Sequence, residues 1–322
     1  MAKTKLNFTL RPLELKDVGT CFHLGERIFE EGKFNNLYRT WDEFEVVSVI
    51  NSHPEFCFIA EAHERNASGY DVTVPAGFVL GSVLIKKHGK FCIGYLDWVL
   101  VEPKYQLQGI GTALITRVID VMKKEYQIKC LIADTPAENR PAINFFNKRI
   151  NLTEMVPHLY MSRRVMGPRP RPEADVEFTI RRLQVDDLHT VHSLGEILFE
   201  KFPNLIRNWD EHAIMSQFQT DREFSLVAVV NRTIAGFALG TYIEKPLQKK
   251  KFGHLTWLGV DPSYSRRGIG QQLVIEFEDL VREEGCQQLL VDTEADNIPA
   301  IKLFNKLNFS HVEKHVYFSK NV

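Results

Sequence analysis

The chain repeats itself. NFTLRPLELKDV near the start is echoed by EFTIRRLQVDDL in the second half, LGERIFEEG by LGEILFEKF, RTWDEFEVVS by RNWDEHAIMS, and GYLDWVLVEPKY by GHLTWLGVDPSY. All four tryptophans fall into equivalent pairs, Trp41 with Trp209 and Trp98 with Trp257. This is a duplication, and it ties the two halves to one fold. The spacing between matching segments shortens along the chain because the first half carries an extra stretch, roughly residues 61–74, where the second has only VVNRT.

Between the copies lies MGPRPRPEAD, residues 166–175. Three prolines so close together disfavour helix and strand and favour a stiff, extended connector. The sequence therefore divides into a domain at 1–165, a linker at 166–175 and a domain at 176–322. With 322 residues, 44% of them hydrophobic and 25% charged, each half has the material for its own core.

Each copy opens with a short strand (8–11 and 178–181) followed by an apolar-periodic helix. Leu188, Val191, Leu194 and Leu198 recur at three- and four-residue spacing, which is one helical face. Strand-like runs come next, at 56–60 with 76–86 and at 225–230 with 234–242. A strand rich in aromatic and β-branched residues then ends in Glu-Pro or Asp-Pro (95–101 and 255–260). A Gly-x-Gly turn leads into a helix on which Leu114, Val118 and Val121, or Leu273, Phe277 and Leu280, repeat. Another strand (130–133; 288–291), another helix (141–148; 299–306) and a last strand complete each copy. Hairpins at the front and strands alternating with helices behind predict a mixed α/β fold, a mostly antiparallel sheet flanked by helices, built twice.

The turn carries the chemistry. Gln106-Leu107-Gln108-Gly109-Ile110-Gly111-Thr112 follows a strand and opens a helix, the context in which a glycine-rich pattern means something. Glycines let the backbone approach a bulky anion, and the N–H groups at the helix start point at it with the macrodipole behind them. A diphosphate-bearing ligand suits such a turn, and its recurrence in the same strand–turn–helix frame strengthens the reading. The third glycine of a dinucleotide fingerprint is missing. No Walker A loop, GxSxG elbow or HExxH motif occurs.

Gln106 to Gly111 resembles the Q/R-x-x-G-x-G/A signature of the GNAT acetyltransferase superfamily. Downstream, NRPAINFFNK from Asn139 resembles the family's N-x-x-A-x-x-(F/L)-(Y/F)-x-K helix, and NIPAIKLFNK from Asn297 does so again. Each copy looks most like the ribosomal-protein alanine acetyltransferase branch. The resemblance covers nearly the whole chain, twice, and implies two tandem GNAT folds using acetyl-CoA. In the first copy it implies pyrophosphate on the turn Gly109, Ile110, Gly111 and Thr112, with Gln106, Leu107 and Gln108 also binding the cofactor, and pantetheine along Val99, Leu100 and Val101. Asn139 and Phe146 would lie at the thiol end. The second set is Leu258, Gly259 and Val260, then Arg266, Arg267, Gly268, Ile269, Gly270 and Gln271, with Asn297 and Phe304. Ser265 stands where the signature wants Gln or Arg, which makes the second copy the candidate for a non-catalytic partner.

Acetyl transfer to an amine needs a base for the ammonium proton, stabilisation of an oxyanion and a route for the leaving thiolate. Asp134 and Asp292 end equivalent strands, each five residues before the motif asparagine. In the branch resembled, a catalytic carboxylate stands there; a loop-capping aspartate is the alternative reading. The family's usual acid is a tyrosine at the positions of Phe146 and Phe304, and phenylalanine donates no proton. Tyr160 and Tyr317 on the last strand of each copy are the substitute candidates, and packing with a polar tip is their other role. His254 on the pantetheine strand is a further candidate base or a structural histidine. Glu26 and Glu30, echoed by Glu196 and Glu200, lie on the first helix, either facing a cationic acceptor or simply solvated.

Net charge is −1, so no global field holds the chain to nucleic acid or an anionic membrane, and Lys249-Lys250-Lys251 reads as a solvated loop. No apolar run is long enough to span a bilayer and no secretory signal is evident. Five scattered cysteines suggest neither a disulfide framework nor a zinc site, so no metal is expected. The expectation is a cytoplasmic N-acetyltransferase, monomer or homodimer, with export as an effector left open. Its acceptor is an amine on a small molecule, peptide or protein. The alternatives are one catalytic domain beside one that binds CoA or substrate, and a non-catalytic acyl-CoA-binding module.

Overall fold

The computed structural model describes residues 6–30, 41–86, 91–154, 157–199, 209–245 and 250–322. Two compact units result. One comprises Met1–Pro157 and His315–Val322, the other His158–Lys314. The proline-rich boundary at 166–175 divides the sequence, whereas the units divide elsewhere: each repeat's final strand belongs to the unit built on the other repeat. Residues 166–175 themselves contain neither helix nor strand.

Unit 1 runs through β1 (Asn7–Pro12), α1 (Val18–Gly25), α2 (Glu43–Ser52), β2 (Phe58–Arg65), β3 (Asp71–Lys86), β4 (Phe91–Val101), α3 (Ile110–Tyr126), β5 (Cys130–Pro136), α4 (Arg140–Phe145) and β6 (Thr153–Glu154). β1 to β4 form an antiparallel meander, β4 and β5 pair parallel, and residues 315–321 close the far side of β5 antiparallel. The extra stretch at 61–74 lengthens the β2–β3 hairpin: its turn is held by Asn66, whose Oδ1 accepts from Ser68 and Tyr70 N–H at 3.0 Å, with Gly69 at φ +84°.

Unit 2 contains β7 (His158–Arg164), β8 (Thr179–Arg182), α5 (Leu188–Phe199), α6 (Glu211–Asp221), β9 (Ser225–Val230), β10 (Thr233–Lys245), β11 (Lys250–Val260), α7 (Ile269–Glu283), β12 (Gln288–Glu294) and α8 (Ile298–Lys306). The last strand, β13 (Ser310–Asn321), starts in this unit and ends in the other. The ladder repeats that of unit 1: β8 to β11 antiparallel, β11 with β12 parallel, β12 with β7 antiparallel. Both units are thus mixed α/β with a largely antiparallel sheet.

Both sheet faces are buried, so the strands read as apolar runs. In unit 1, Phe58, Ala60 and Ala62 pack beneath α3, while the alternate Ile59 faces α1 and α2 with Phe78 and Trp98. In unit 2 the large helix α7 presents Ile269, Leu273, Val274, Phe277 and Val281 to one face, and Val191, Leu194 and Ile214 cover the other. Each such side chain gains about 2 kcal/mol on leaving water, before the cost of ordering it. Glu278 is buried on α7 and receives an ion-paired hydrogen bond from Arg163. Among the described residues no helix is long and apolar enough to cross a membrane, and all five cysteines are free.

Two repeated devices tie the first helices down. Trp41 donates from Nε1 to Phe22 O and Trp209 to His192 O, both at 2.8 Å. Each indole lies against a helical glycine, Gly25 or Gly195, where a Cβ would overlap the ring. Arg11 grips Asp17 at 2.6 and 2.8 Å and Arg181 grips Asp187 at the same distances, while each aspartate also accepts a backbone N–H.

Gly25→Ala and Gly195→Ala should each cost about 1–3 kcal/mol by overpacking. Gly19→Ala, on the same helix as Gly25 but with open space at its Cβ position, should be neutral or stabilising. Urea midpoints separate the two outcomes. The arginine hydrogen bonds hold the carboxyls of Asp17 and Asp187 below their usual range. Their stabilisation is complete above about pH 4, the unfolded value, and disappears as pH falls through the folded one. Asp187→Asn should therefore lower the urea midpoint more at pH 6 than at pH 3.

Candidate active site

The site begins where the sheet comes apart. In unit 2 the parallel ladder joins Phe252–Leu255 to Gln288–Val291 and stops there. At the same place the antiparallel register to β10 skips a residue: Leu239 pairs with Trp257 and Gly240 with Leu255, which leaves Thr256 as a bulge. An extra residue bends the strand and increases its twist, so β11 diverges from β12 beyond that point. Unit 1 repeats the construction, with its parallel ladder ending at Tyr95 and Ile132 and Asp97 as the extra residue.

The turn after β11 has left-handed backbone at Arg266 (φ 61°) and Gly268 (φ 90°) before α7 begins at Ile269. Its counterpart has Leu107 at 62° and Gly109 at 93° before α3. Glycine is favoured at the second position because the conformation strains a residue with a Cβ. The first intrahelical bonds run from Gln272 N to Gly268 O and from Ala113 N to Gly109 O, both 3.0 Å. The N–H groups of Ile269, Gly270 and Gln271, and of Ile110, Gly111 and Thr112, precede those bonds and point out of the helix start. Neither helix has an acidic residue in its first turn. Both turns share one backbone geometry, and Ser265 does not alter it. Gln106 instead ties its own turn to Val101 O at 3.0 Å.

One cavity of about 700 Å³ joins these features in unit 2. Every cofactor position expected in the second copy lines it: Leu258, Gly259, Val260, Arg266, Arg267, Gly268, Ile269, Gly270, Gln271, Asn297 and Phe304. Asp292, His158 and Glu294 line the other end. Asn297 caps α8, its Oδ1 accepting Ala300 N–H at 3.3 Å, and Asn139 does the same for Ala142. Phe304 packs on Phe309; Phe146 is 6% exposed against Phe318. In unit 1, Val99 and Val101 pack towards α3 while Leu100 faces the α1–α2 core.

Both nominated aspartates are buried and engaged. Asp292 Oδ2 accepts from His158 Nε2 at 2.6 Å and Oδ1 from His254 Nε2 at 2.7 Å. Asp134 accepts from His315 Nδ1 at 2.9 Å and from the Tyr95 hydroxyl. The strand exchange decides which tyrosine accompanies which aspartate: Tyr160 is the cross-strand neighbour of Asp292, and Tyr317 that of Asp134. His158 and His315 were not anticipated from sequence, although HLY and HVY at equivalent places in the repeats were visible. Glu26 is half-buried with His23 at 3.5 Å, and Glu196 is exposed. The side chain of Glu30, and Glu200 as a whole, lie outside the described residues.

The linker also contributes. Pro172, Glu173 and Asp175 line the cavity beside the turn, with Gln272 Nε2 donating to Pro172 O at 2.7 Å and Asp175 N–H to Arg267 O at 3.3 Å.

Comparison with known proteins gives the same class. The model of the acetyltransferase (GNAT) family matches residues 24–151 and again 191–309. The chain belongs to that family, as a tandem member with two copies of its fold. An acetyltransferase of Yersinia pestis (strain Pestoides F) is 33% identical over 132 residues, 40% of this chain and 86% of that one. Two solved structures match the fold over nearly the full length. A GCN5-related N-acetyltransferase from Sphaerobacter thermophilus has a TM-score of 0.69 at 17% identity, covering 98% of this chain and 95% of that one. A tandem GNAT protein from the clavulanic acid biosynthesis pathway has a TM-score of 0.72 at 14% identity, covering 98% of both chains.

Proposed function

We propose that this protein is an acetyl-CoA-dependent N-acetyltransferase that transfers the acetyl group to a primary amine by direct attack within a ternary complex. The observation that carries the reading is the unit 2 cavity, which runs from an anion cradle past a diverging strand edge to a buried aspartate–histidine cluster. At about 700 Å³ it is in the range of small-molecule sites.

In this reading the N–H groups of Ile269, Gly270 and Gln271 hold the pyrophosphate, with Arg266 and Arg267 adding charge. Leu258, Gly259 and Val260 offer backbone groups that the β12 ladder does not reach, a match for pantetheine amides. Asn297 and Phe304 stand at the thiol end. Acetyl-CoA supplies an activated thioester; the protein supplies position, a polarised environment and a path for protons. Asp292 and Asp134 are the charged anchors at the acyl ends of the two units, with Tyr160 and Tyr317 beside them. The equivalent set in unit 1 is Gln106 to Thr112, Val99 to Val101, Asn139 and Phe146.

Acetyl-CoA titrated calorimetrically into the intact protein should bind, and Gly270→Glu should abolish the unit 2 site by placing a carboxylate in the cradle. Binding lost in Gly270→Glu but kept in Gly111→Glu identifies unit 2 as the site; two sites, each lost separately, identify both. No binding by the parent protein rejects the reading.

A further inference from the structure

The two units share a scaffold but differ in the polar groups at the acyl end. Where unit 2 has His254 and Glu294, unit 1 has Tyr95 and Pro136 at the matching positions. Asp292 in unit 2 has both oxygens occupied by imidazole N–H groups. A carboxylate holding two such donors has its oxygens engaged and is less open to an incoming ammonium. Glu294 is in the opposite situation. It stands two residues further along β12, on the same strand face as Asp292. It pairs across the ladder with His158 and lines the same cavity. Its carboxylate makes no hydrogen bond or ion pair among the described residues. Burial pushes its carboxyl above the ordinary glutamate range, partly opposed by His158.

We propose that Glu294 is the general base of unit 2, the group that takes the proton from the ammonium of the acetyl acceptor. The proposal rests on the reading of unit 2 as an acetyl-CoA site. An ammonium entering the cavity finds an available carboxylate there, which attracts it and then removes its proton. The neutral nitrogen attacks the thioester carbonyl carbon, a C–N bond forms and the C–S bond breaks. The nitrogen's second proton leaves with the sulfur as thiol, and the proton on Glu294 passes to solvent. The groups facing Glu294 are His158 on β7, Asp292 on its own strand, and Asp296 in the following turn, with His254 on β11 beyond Asp292. His158 and Asp292 thereby become positioning residues. Their hydrogen bond fixes the wall opposite the base. Unit 1 has no counterpart, because Pro136 carries no titratable group.

The test uses the full chain carrying Gly111→Glu, so that only unit 2 is loaded, with and without Glu294→Gln. Ethanolamine, spermidine and an alanine-initiated peptide serve as acceptors, and thiol release is followed from pH 6 to 9.5. Glu294→Gln should bind acetyl-CoA within about threefold of its parent, yet lose on the order of 10²-fold in kcat near pH 7. That deficit should shrink steadily as pH approaches each amine's own pKa, about 8 for the peptide's α-amino group and about 10 for the alkylamines, since a free amine needs no base. Glu294→Asp should recover part of the neutral-pH rate. Three results overturn the assignment: an unchanged kcat, a deficit constant across pH, or a parent that binds acetyl-CoA but releases thiol with none of the amines. Failure of the parent to bind acetyl-CoA overturns instead the reading on which it rests.

Discussion

The site depends on one interruption in sheet pairing. A parallel ladder that continued past Leu255 and Val291 would satisfy every backbone group of β11 and leave no room between the strands. A single extra residue, Thr256 in β11 and Asp97 in β4, prevents this. Buried N–H and C=O groups require partners, so a strand edge that diverges from its neighbour leaves backbone groups outside that ladder. The helix start lies beyond the end of that same edge, nine residues from Val260 to Ile269 and from Val101 to Ile110. The bulge therefore fixes the length and direction of anything that spans both.

Duplication preserved this scaffold while the polar residues on it diverged. The Trp–Gly contacts, the Arg–Asp clamps and the turn dihedrals agree between units almost residue for residue. The histidine on the last strand does not. His158 binds its aspartate through Nε2, and His315 binds through Nδ1. The ring nitrogen turned towards the aspartate therefore differs between the two units. The two units thus present different faces of the same residue type, with Tyr95 or His254 completing each cluster. Equal folds thus carry unequal polar clusters at the same place.

Much of this was legible in the sequence. The repeat, the mixed α/β class, the turn and its helix and the motif asparagines all follow from periodicity and local turn chemistry, which act over a few residues. The membership of the last strands was not legible. HLYMSRR and HVYFSKN have the same alternation and nearly the same side chains, so either satisfies the edge of β5 or of β12 equally well. No local term in the sequence chooses between them. The partners of Asp134 and Asp292 were hidden for the same reason, since both histidines arrive on those strands. The linker was read as a spacer from its prolines. Composition could not reveal that Pro172 and Asp175 lie against the turn, a consequence of tertiary contact alone. The segment at 61–74 carried no recognisable code because it is only a longer hairpin.

The phenylalanines at 146 and 304 bear on which proton transfer the protein must assist. Both are packed among aromatic neighbours, Phe146 on Phe318 and Phe304 on Phe309, where a hydroxyl would need a partner of its own. Neither position can deliver a proton to a departing thiolate. The loss is tolerable because an alkyl thiol ionises near 8.5 and an alkyl ammonium near 10.4. In the tetrahedral intermediate sulfur is the better leaving group once nitrogen has lost its charge, and its departure needs little help. The harder requirement is at the nitrogen. While protonated it has no lone pair for attack, and if it keeps the extra proton afterwards it is expelled in preference to sulfur. In the proposed reaction, a site with phenylalanine in the acid's place and carboxylate beside imidazole at the acyl end meets that requirement at the base.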